Sequence, residues 1–207
     1  MRTVRSLLAL VMLGAAAPIA AQAPAGGAAQ QPPRPPFMIQ TRAFVDGGTI
    51  PLKYTQAAED RQTNGGLGVS PQLGWINPPE GTVSYVLNFH DMEVARNKTT
   101  EDQAHWVVWN IPGDAKELPE NIAAGATIAS LGGAGQISAS GPQYRGPGAP
   151  ATGAPHHYMF ELIALDTKLN ITPTADAFET RKKVMDAMQG HVLGKALIVG
   201  LFKRPQT

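Results

Sequence analysis

The chain has 207 residues, of which 22 are Gly and 18 are Pro, and this share of helix-breaking residues disfavours a helical bundle. Charged residues make up only 16%, with 17 Lys and Arg against 16 Asp and Glu, so no charged field suited to nucleic acid is indicated. The chain contains no Cys, which excludes a thiol nucleophile and a thiolate metal site.

Residues 1–23 have the pattern of a secretory signal peptide. Arg2 and Arg5 precede an apolar stretch at residues 7–17, and an A-x-A cleavage motif follows at residues 21–23. Cleavage after residue 21 is a close alternative. A membrane anchor is the other interpretation, although the apolar stretch is short for a span. We therefore expect a cleaved signal peptide, a periplasmic or secreted protein, and no transmembrane span in the mature chain.

The composition then changes twice along the chain. Residues 24–36 are rich in Pro, Gly, Ala and Gln and carry one charge, which predicts a disordered linker. The globular domain is expected over residues 37–204.

Short apolar segments bounded by Gly and Pro predict strands within this domain. A weak first strand is expected at residues 37–44, followed by a short extended segment at 50–56. Stronger strands are predicted at residues 83–90, 105–111, 158–165 and 195–204. Residues 123–144 hold several Gly and Ala and are expected to be irregular.

The pattern predicts one convincing helix, at residues 176–189. Asp176 and Glu179 form an N-terminal capping pair, and Gly190 ends the helix. Strands dominate, so the sequence favours a β-rich single domain. Trp75, Trp106 and Trp109 are interpreted as packing residues.

Three polar clusters stand out where predicted strands begin or end. The first is His90-Asp91-Met92-Glu93, and the second is His105-Trp106. The third is a Gly-Pro-Gly-Ala-Pro loop at residues 146–150, followed by His156-His157-Tyr158. Loops and strand ends on a rigid sheet are frequent places for functional sites.

The order of these motifs resembles the phosphatidylethanolamine-binding protein family, and within it the bacterial branch known as Raf-kinase-inhibitor-like. The matching segments are residues 84–93, 105–120, 141–166 and 188–204. The resemblance implies an antiparallel β-sandwich of Greek-key type with a few peripheral helices. It also implies a small pocket for an anion, such as phosphate or a phospholipid headgroup.

The resemblance places ligand-binding residues at matching positions. They are Asp91, Glu93, His105, Gly146, Pro147, Gly148, Pro150, His156, His157 and Tyr158. The chain departs from the family pattern at several of them. Met92 stands where the family has Pro, Glu93 replaces the usual Asp, and His157 replaces an Arg, which removes a permanent cation.

The chemistry of these residue types suits an anion. His and Tyr side chains donate hydrogen bonds, and Gly lets backbone amides approach a ligand closely. Asp91 is expected to accept the second ring N–H of a His and so to favour its charged form near neutral pH. We expect His105 to supply one such charge-assisted bond, and Asp91, His105, His156, Tyr158 and the 146–150 loop to share one cleft.

Two other functions stay open. A hydrolase could use His90, His105, His156 and Asp91, although no known metal-ligand spacing or G-x-S-x-G motif occurs. A protein-interaction or inhibitor module is the other alternative. The sequence predicts no catalytic residue, no metal, no cofactor and no nucleic-acid partner, and leaves a homodimer open.

Overall fold

The protein is described by a computed structural model over residues 34–60 and 62–206. The predicted signal peptide and most of the predicted linker lie outside these residues.

Nine strands and one α-helix are found within the described residues. The strands are β1 (Met38–Gln40), β2 (Leu73–Ile76), β3 (Ser84–Asp91), β4 (Gln103–Pro112), β5 (Glu117–Leu118), β6 (Thr127–Ile128), β7 (Ala134–Ile137), β8 (His156–Leu165) and β9 (Val192–Phe202). The helix α1 (Ala177–Ala187) lies between β8 and β9, and short 3-10 turns occur at Leu52–Tyr54, Thr63–Gly66, Arg96–Lys98 and Ala129–Leu131.

The strands form two antiparallel sheets. The smaller sheet has the order β1-β2-β5, and the larger has the order β6-β7-β4-β3-β8-β9. One apolar core fills the space between the sheets, where the rings of Trp75 and Tyr85 lie 5.1 Å apart. The predicted antiparallel β-rich fold is therefore confirmed.

The helix covers the outer face of the larger sheet. Val184 and Met188 pack with Val86 and Ile163 in a second apolar cluster. The side chain of Asp176 accepts hydrogen bonds from backbone N–H groups of the first turn, which confirms the predicted cap. No helix in the described residues is long and apolar enough to cross a membrane.

The main differences from prediction concern short elements. The first strand covers only Met38–Gln40, and the segment at residues 50–56 contains a 3-10 turn. No sequence pattern predicted β2, and residues 123–144 contain β6 and β7. The Gly-rich composition was misleading there, because the Trp109 ring lies over Gly135, where an added Cβ would approach it to 2.2 Å.

Candidate functional site

Three neighbouring strands bring polar residues to one edge of the larger sheet. Asp91, the last residue of β3, pairs with Gln103 at the start of β4 and with Tyr158 near the start of β8. His156 lies two residues before Tyr158 and therefore faces the same side of the sheet. The antiparallel pairing thus brings Asp91 and His156 together, although they are 65 positions apart.

A β-bulge directs His105 toward the same place. Phe89 pairs with Trp106, whereas the next residue, His90, pairs with Ala104, so His105 is the extra residue in β4. The consecutive side chains of His105 and Trp106 consequently share a face, in contrast to the alternation of a regular strand.

Hydrogen bonds fix the tautomer of His105. Its Nδ1 lies 2.9 Å from the carbonyl oxygen of Arg145 and 3.1 Å from that of Gly146. Because carbonyl oxygens only accept, Nδ1 carries the hydrogen. Burial lowers the pKa of His105 to about 4, although the carbonyls and Asp91 favour the charged ring. His105 is therefore neutral near neutral pH, and the expectation that it donates a charge-assisted bond is wrong.

Asp91 is buried and held by several donors. Nδ1 of His156 lies 2.8 Å and 3.0 Å from its two carboxylate oxygens, and the backbone N–H of Glu93 donates to it at 3.1 Å. The expected Asp–His pair is thus formed, with His156 as the partner. Since the carboxylate only accepts, Nδ1 of His156 carries its hydrogen.

Tyr158 connects Asp91 to the 146–150 loop. Its hydroxyl oxygen accepts the backbone N–H groups of Gly148 at 3.2 Å and Ala149 at 3.0 Å. The negative charge of Asp91 acts on this hydroxyl. Burial, and then the charge of Asp91, raise the pKa of Tyr158, so the hydroxyl keeps its hydrogen at neutral pH.

The loop supports the site through its backbone. The N–H of Gly146 donates to the carbonyl of Leu67 at 2.8 Å, and an added Cβ would lie 2.4 Å from a facing backbone oxygen. Pro147 has no N–H, and the amides of Gly148 and Ala149 are used by Tyr158. The expectation that these glycine-supported amides bind an anion is therefore wrong, because they are engaged within the protein.

These residues surround a cavity of about 170 Å³, here named the edge cavity. It is lined by Gln56, Asp91, Val94, Gln103, His105, Arg145, Gly148, Ala149, Pro150, His156 and Tyr158. Six of the ten predicted site residues are in its lining, and the structure brings them together at one place.

The other four predicted residues lie outside the lining. Gly146 and Pro147 form the loop behind it and accept hydrogen bonds from Gln56 at their carbonyls. Glu93 and His157 pair with each other at the surface, where Glu93 accepts the ring Nδ1–H at 2.6 Å and the backbone N–H at 2.7 Å. This pair joins the turn after β3 to the start of β8.

Arg145 lines the edge cavity and was missed by the sequence reasoning. Its Nη1 donates to Ser140 Oγ at 2.9 Å, and no described carboxylate forms an ion pair with it. Burial lowers its pKa and the nearby Arg204 acts in the same direction, but a guanidinium stays protonated in proteins. The available signal was its position directly before the Gly-Pro loop.

Among the described residues, one group could hold a metal ion. Asp91, Glu93 and His156 each offer a ligand atom, and these atoms lie within 4.8 Å of one another. All three are already hydrogen-bonded, Asp91 with His156 and Glu93 with His157. The absence of a metal therefore stays a prediction.

Of the hydrolase cluster considered from the sequence, Asp91, His105 and His156 line the edge cavity and His90 does not. His90 points to the opposite face of the sheet from Asp91, and its Nδ1 lies 2.5 Å from Asp102. The second oxygen of Asp102 accepts a hydrogen bond from Arg181 of α1, also at 2.5 Å. His90 therefore belongs to a buried network beneath the helix.

The three tryptophans are buried in the cores, as expected of packing residues.

A larger cleft of about 500 Å³ lies elsewhere, beside Lys53 and Glu120. These two side chains form an ion pair at 2.5 Å, and Glu120 also accepts the hydroxyl of Tyr54 at 2.7 Å. None of the predicted site residues lines this cleft.

The comparisons with known proteins agree with the fold. The family model described as Phosphatidylethanolamine-binding protein matches residues 40–203. The chain belongs to this family. A UPF0098 protein of Methanothermobacter thermautotrophicus is 36% identical over 166 residues, covering 80% of this chain and 98% of that protein. A UPF0098 protein of Aquifex aeolicus is 33% identical over 168 residues, covering 80% and 88%.

Solved structures of the phosphatidylethanolamine-binding protein family have the same fold. The homologue CT736 from Chlamydia trachomatis aligns with a TM-score of 0.62 and 27% identity, over 81% of this chain and 97% of that one. YbcL of E. coli aligns with a TM-score of 0.64 over 81% and 98% of the two chains. At 22% identity, this second likeness concerns the fold alone.

Proposed function

We propose that this protein binds a small anion, phosphate or the phosphate of a phospholipid headgroup, in the edge cavity. The observation that carries the proposal is Arg145, a half-buried cation in the cavity wall with no carboxylate partner among the described residues. A buried cation is costly unless a counter-charge pairs with it. A bound anion would supply that charge.

The negative charge of Asp91 does not cancel this attraction. Its oxygens accept hydrogen bonds from the His156 ring and from the backbone N–H of Glu93, so they are engaged within the protein. Arg145 thus remains a cation in the cavity wall without an ion pair among the described residues. The volume of about 170 Å³ suits a phosphate-sized group and is too small for an acyl chain.

Replacing Arg145 tests this proposal. Arg145→Met keeps the backbone carbonyl that orients His105 but removes the guanidinium, so phosphate affinity should fall about tenfold or more by titration calorimetry. Lys195→Met is the matched control, because Lys195 also loses one charge but pairs with Glu161 away from the cavity. Equal phosphate affinity in wild type and Arg145→Met would overturn the proposal.

We also propose that the protein is exported, because residues 1–23 have the order of a signal peptide. N-terminal sequencing of the protein from its native host should give a chain beginning at residue 22 or 24. A chain beginning at Met1 would contradict export by cleavage.

A further inference from the structure

A groove separate from the edge cavity lies at the C-terminal end of β9. It has a volume of about 550 Å³ and is lined by residues 49–52 on one side and 202–206 on the other, and it is here named the tail groove. This volume is typical of ligand pockets in proteins. The tail groove and the edge cavity share no lining residue, so they are two different sites.

The walls of the tail groove begin as a pair of parallel segments. The backbone N–H of Ile50 donates to the carbonyl of Leu201 at 2.9 Å, and the N–H of Leu201 donates to the carbonyl of Gly48 at 2.8 Å. The two segments then separate, because a 3-10 turn begins at Leu52. Continued pairing would join the N–H of Lys203 to the carbonyl of Ile50, and the N–H of Leu52 to the carbonyl of Lys203. Neither of these bonds is formed.

Several backbone groups are consequently left without a partner at the groove. The N–H of Arg204 donates to the carbonyl of Ala149 at 3.2 Å. Since successive N–H groups of an extended chain point to opposite sides, we expect the N–H of Lys203 to face the groove. Ile50 is 1% exposed, and its carbonyl oxygen accepts no hydrogen bond from the residues that the structure describes. A buried carbonyl without a donor is costly, so an occupant that donates to it is favoured.

The charged side chains that line the tail groove are both cations. They are Lys203 and Arg204, and the lining contains no Asp or Glu. The Nζ of Lys203 donates to the carbonyl of Gly153 at 3.3 Å, and Nη1 of Arg204 donates to the carbonyl of Gly148 at 2.8 Å. Neither cation forms an ion pair with a carboxylate in the described part of the chain. An occupant that carries carboxylates would therefore complement the charge of the groove.

We propose that the tail groove binds an extended acidic peptide of another protein, which adds as a short strand between residues 49–52 and 202–206. The peptide backbone pairs with the free N–H of Lys203 and with the carbonyl of Ile50, and its carboxylates lie beside Lys203 and Arg204. Its apolar side chains contact the exposed Leu52. In this mode of recognition, main-chain hydrogen bonds supply affinity, and the charge of the groove selects the partner.

Short synthetic peptides test the charge requirement. A blocked peptide of alternating Val and Glu, here named the Glu peptide, should bind the purified protein in titration calorimetry. The same peptide with Gln in place of Glu should bind about fivefold more weakly. Equal affinities, or no binding of the Glu peptide, would overturn the proposal. Decanoate binding as tightly as the Glu peptide would also overturn it, in favour of a small amphiphile.

Two substitutions at Thr49 form a matched pair that locates the site. Thr49 is exposed and lines the groove, so a longer side chain can be accommodated there. Thr49→Glu adds a carboxylate that competes for the two cations and should weaken binding of the Glu peptide about tenfold, whereas Thr49→Gln should change it less than about twofold. Equal binding by the two variants would place the peptide elsewhere and overturn the proposal.

A second pair of variants tests one cation of the groove. Lys203→Met should weaken binding of the Glu peptide about threefold. Lys195→Met removes the same charge from the same strand, but Lys195 pairs with Glu161 and does not line the groove, so affinity should be unchanged. Equal affinities in these two variants would contradict the role of Lys203.

Hydrogen exchange in the wild-type protein tests the backbone pairing. The amides of Leu52 and Lys203 have no acceptor among the described residues, so they should exchange rapidly in the free protein. The bound Glu peptide should slow the exchange of Lys203 about tenfold or more. Binding without protection of this amide would overturn the addition of a strand.

Phosphate distinguishes this proposal from the anion site of the edge cavity. The affinity for the Glu peptide should be the same with and without saturating phosphate, because the two sites share no lining residue. Displacement of the Glu peptide by phosphate would place the peptide in the edge cavity and overturn the inference, while leaving anion binding intact.

Discussion

Two Asp–His pairs lie on opposite faces of the larger sheet, and adjacent residues of β3 begin them. His90 turns toward α1 and pairs with Asp102, whereas Asp91 turns toward the edge cavity and pairs with His156. The alternation of a strand separates the two residues. The same pair of residue types therefore occurs in two different environments, one beneath a helix and one beside a cavity.

The two pairs differ in whether the cation nearby has a carboxylate partner. Asp102 also pairs with Arg181, a cation from α1, so that its carboxylate is neutralised within the protein. Burial alone would raise the pKa of Asp102, but the hydrogen bonds from His90 and Arg181 lower it to about 2. On the cavity face, the cation Arg145 has no described carboxylate partner. A carboxylate paired with its own cation indicates a structural role, whereas the cation without a carboxylate partner is the basis of the proposed anion site.

The largest expected effect comes from removing the carboxylate of Asp102. Asp102→Ala leaves His90 and Arg181 without their carboxylate, so the free energy of unfolding should fall by about 3 kcal/mol in chemical denaturation. Asp186→Ala removes an exposed ion pair with Lys182 and should cost about 0.5 kcal/mol or less. Similar losses in both variants would contradict the structural role of the Asp102 network.

Lowering the pH should reduce the free energy of unfolding in two separate pH ranges, one set by His105 and one by Asp102. The pKa of His105 is lowered from 6.5 to about 4, so the unfolded chain binds the proton first and stability falls as the pH drops between these values, by about 3 kcal/mol. The pKa of Asp102 is lowered from 3.8 to about 2, and its contribution is lost as the pH drops below 3.8.

Denaturation of His105→Asn and Asp102→Asn as a function of pH would separate the two contributions. The first variant should lose the slope between pH 6.5 and about 4, and the second should lose the slope below pH 3.8. An unchanged slope in His105→Asn would show that the ring is not buried in its neutral form.

Removing metal ions is expected to have the smallest effect on stability. Asp91, Glu93 and His156 already satisfy one another and His157 through hydrogen bonds, so no ion is needed to neutralise them. Elemental analysis of untagged native protein should find less than one transition metal per chain, and EDTA should leave the melting temperature unchanged. One zinc per chain, lost with Asp91→Ala, would revise the cavity to a metal site.

The sequence predicted the long strands, the capped helix and most of the cavity lining. Those features depend on local patterns, such as the apolar β3 segment and the Asp176 cap. It did not predict the proton state of His105, because burial and two backbone carbonyls come from residues 40 and 41 positions away. Arg145 was missed for the same reason, since its lack of a partner is a property of the fold.

The bulge in β4 has a consequence for insertions and deletions. Because of the bulge, the side chains of Gln103–His105 alternate between the faces of the sheet out of phase with those of Trp106–Trp109. The β4 residues at the cavity and those in the core therefore follow different registers against β3. Removal of a single residue at this point would restore regular pairing with β3 and leave the core strand unchanged, while a different side chain would face the cavity. A sheet built in this way can exchange a cavity-lining residue through a one-codon deletion without repacking its interior.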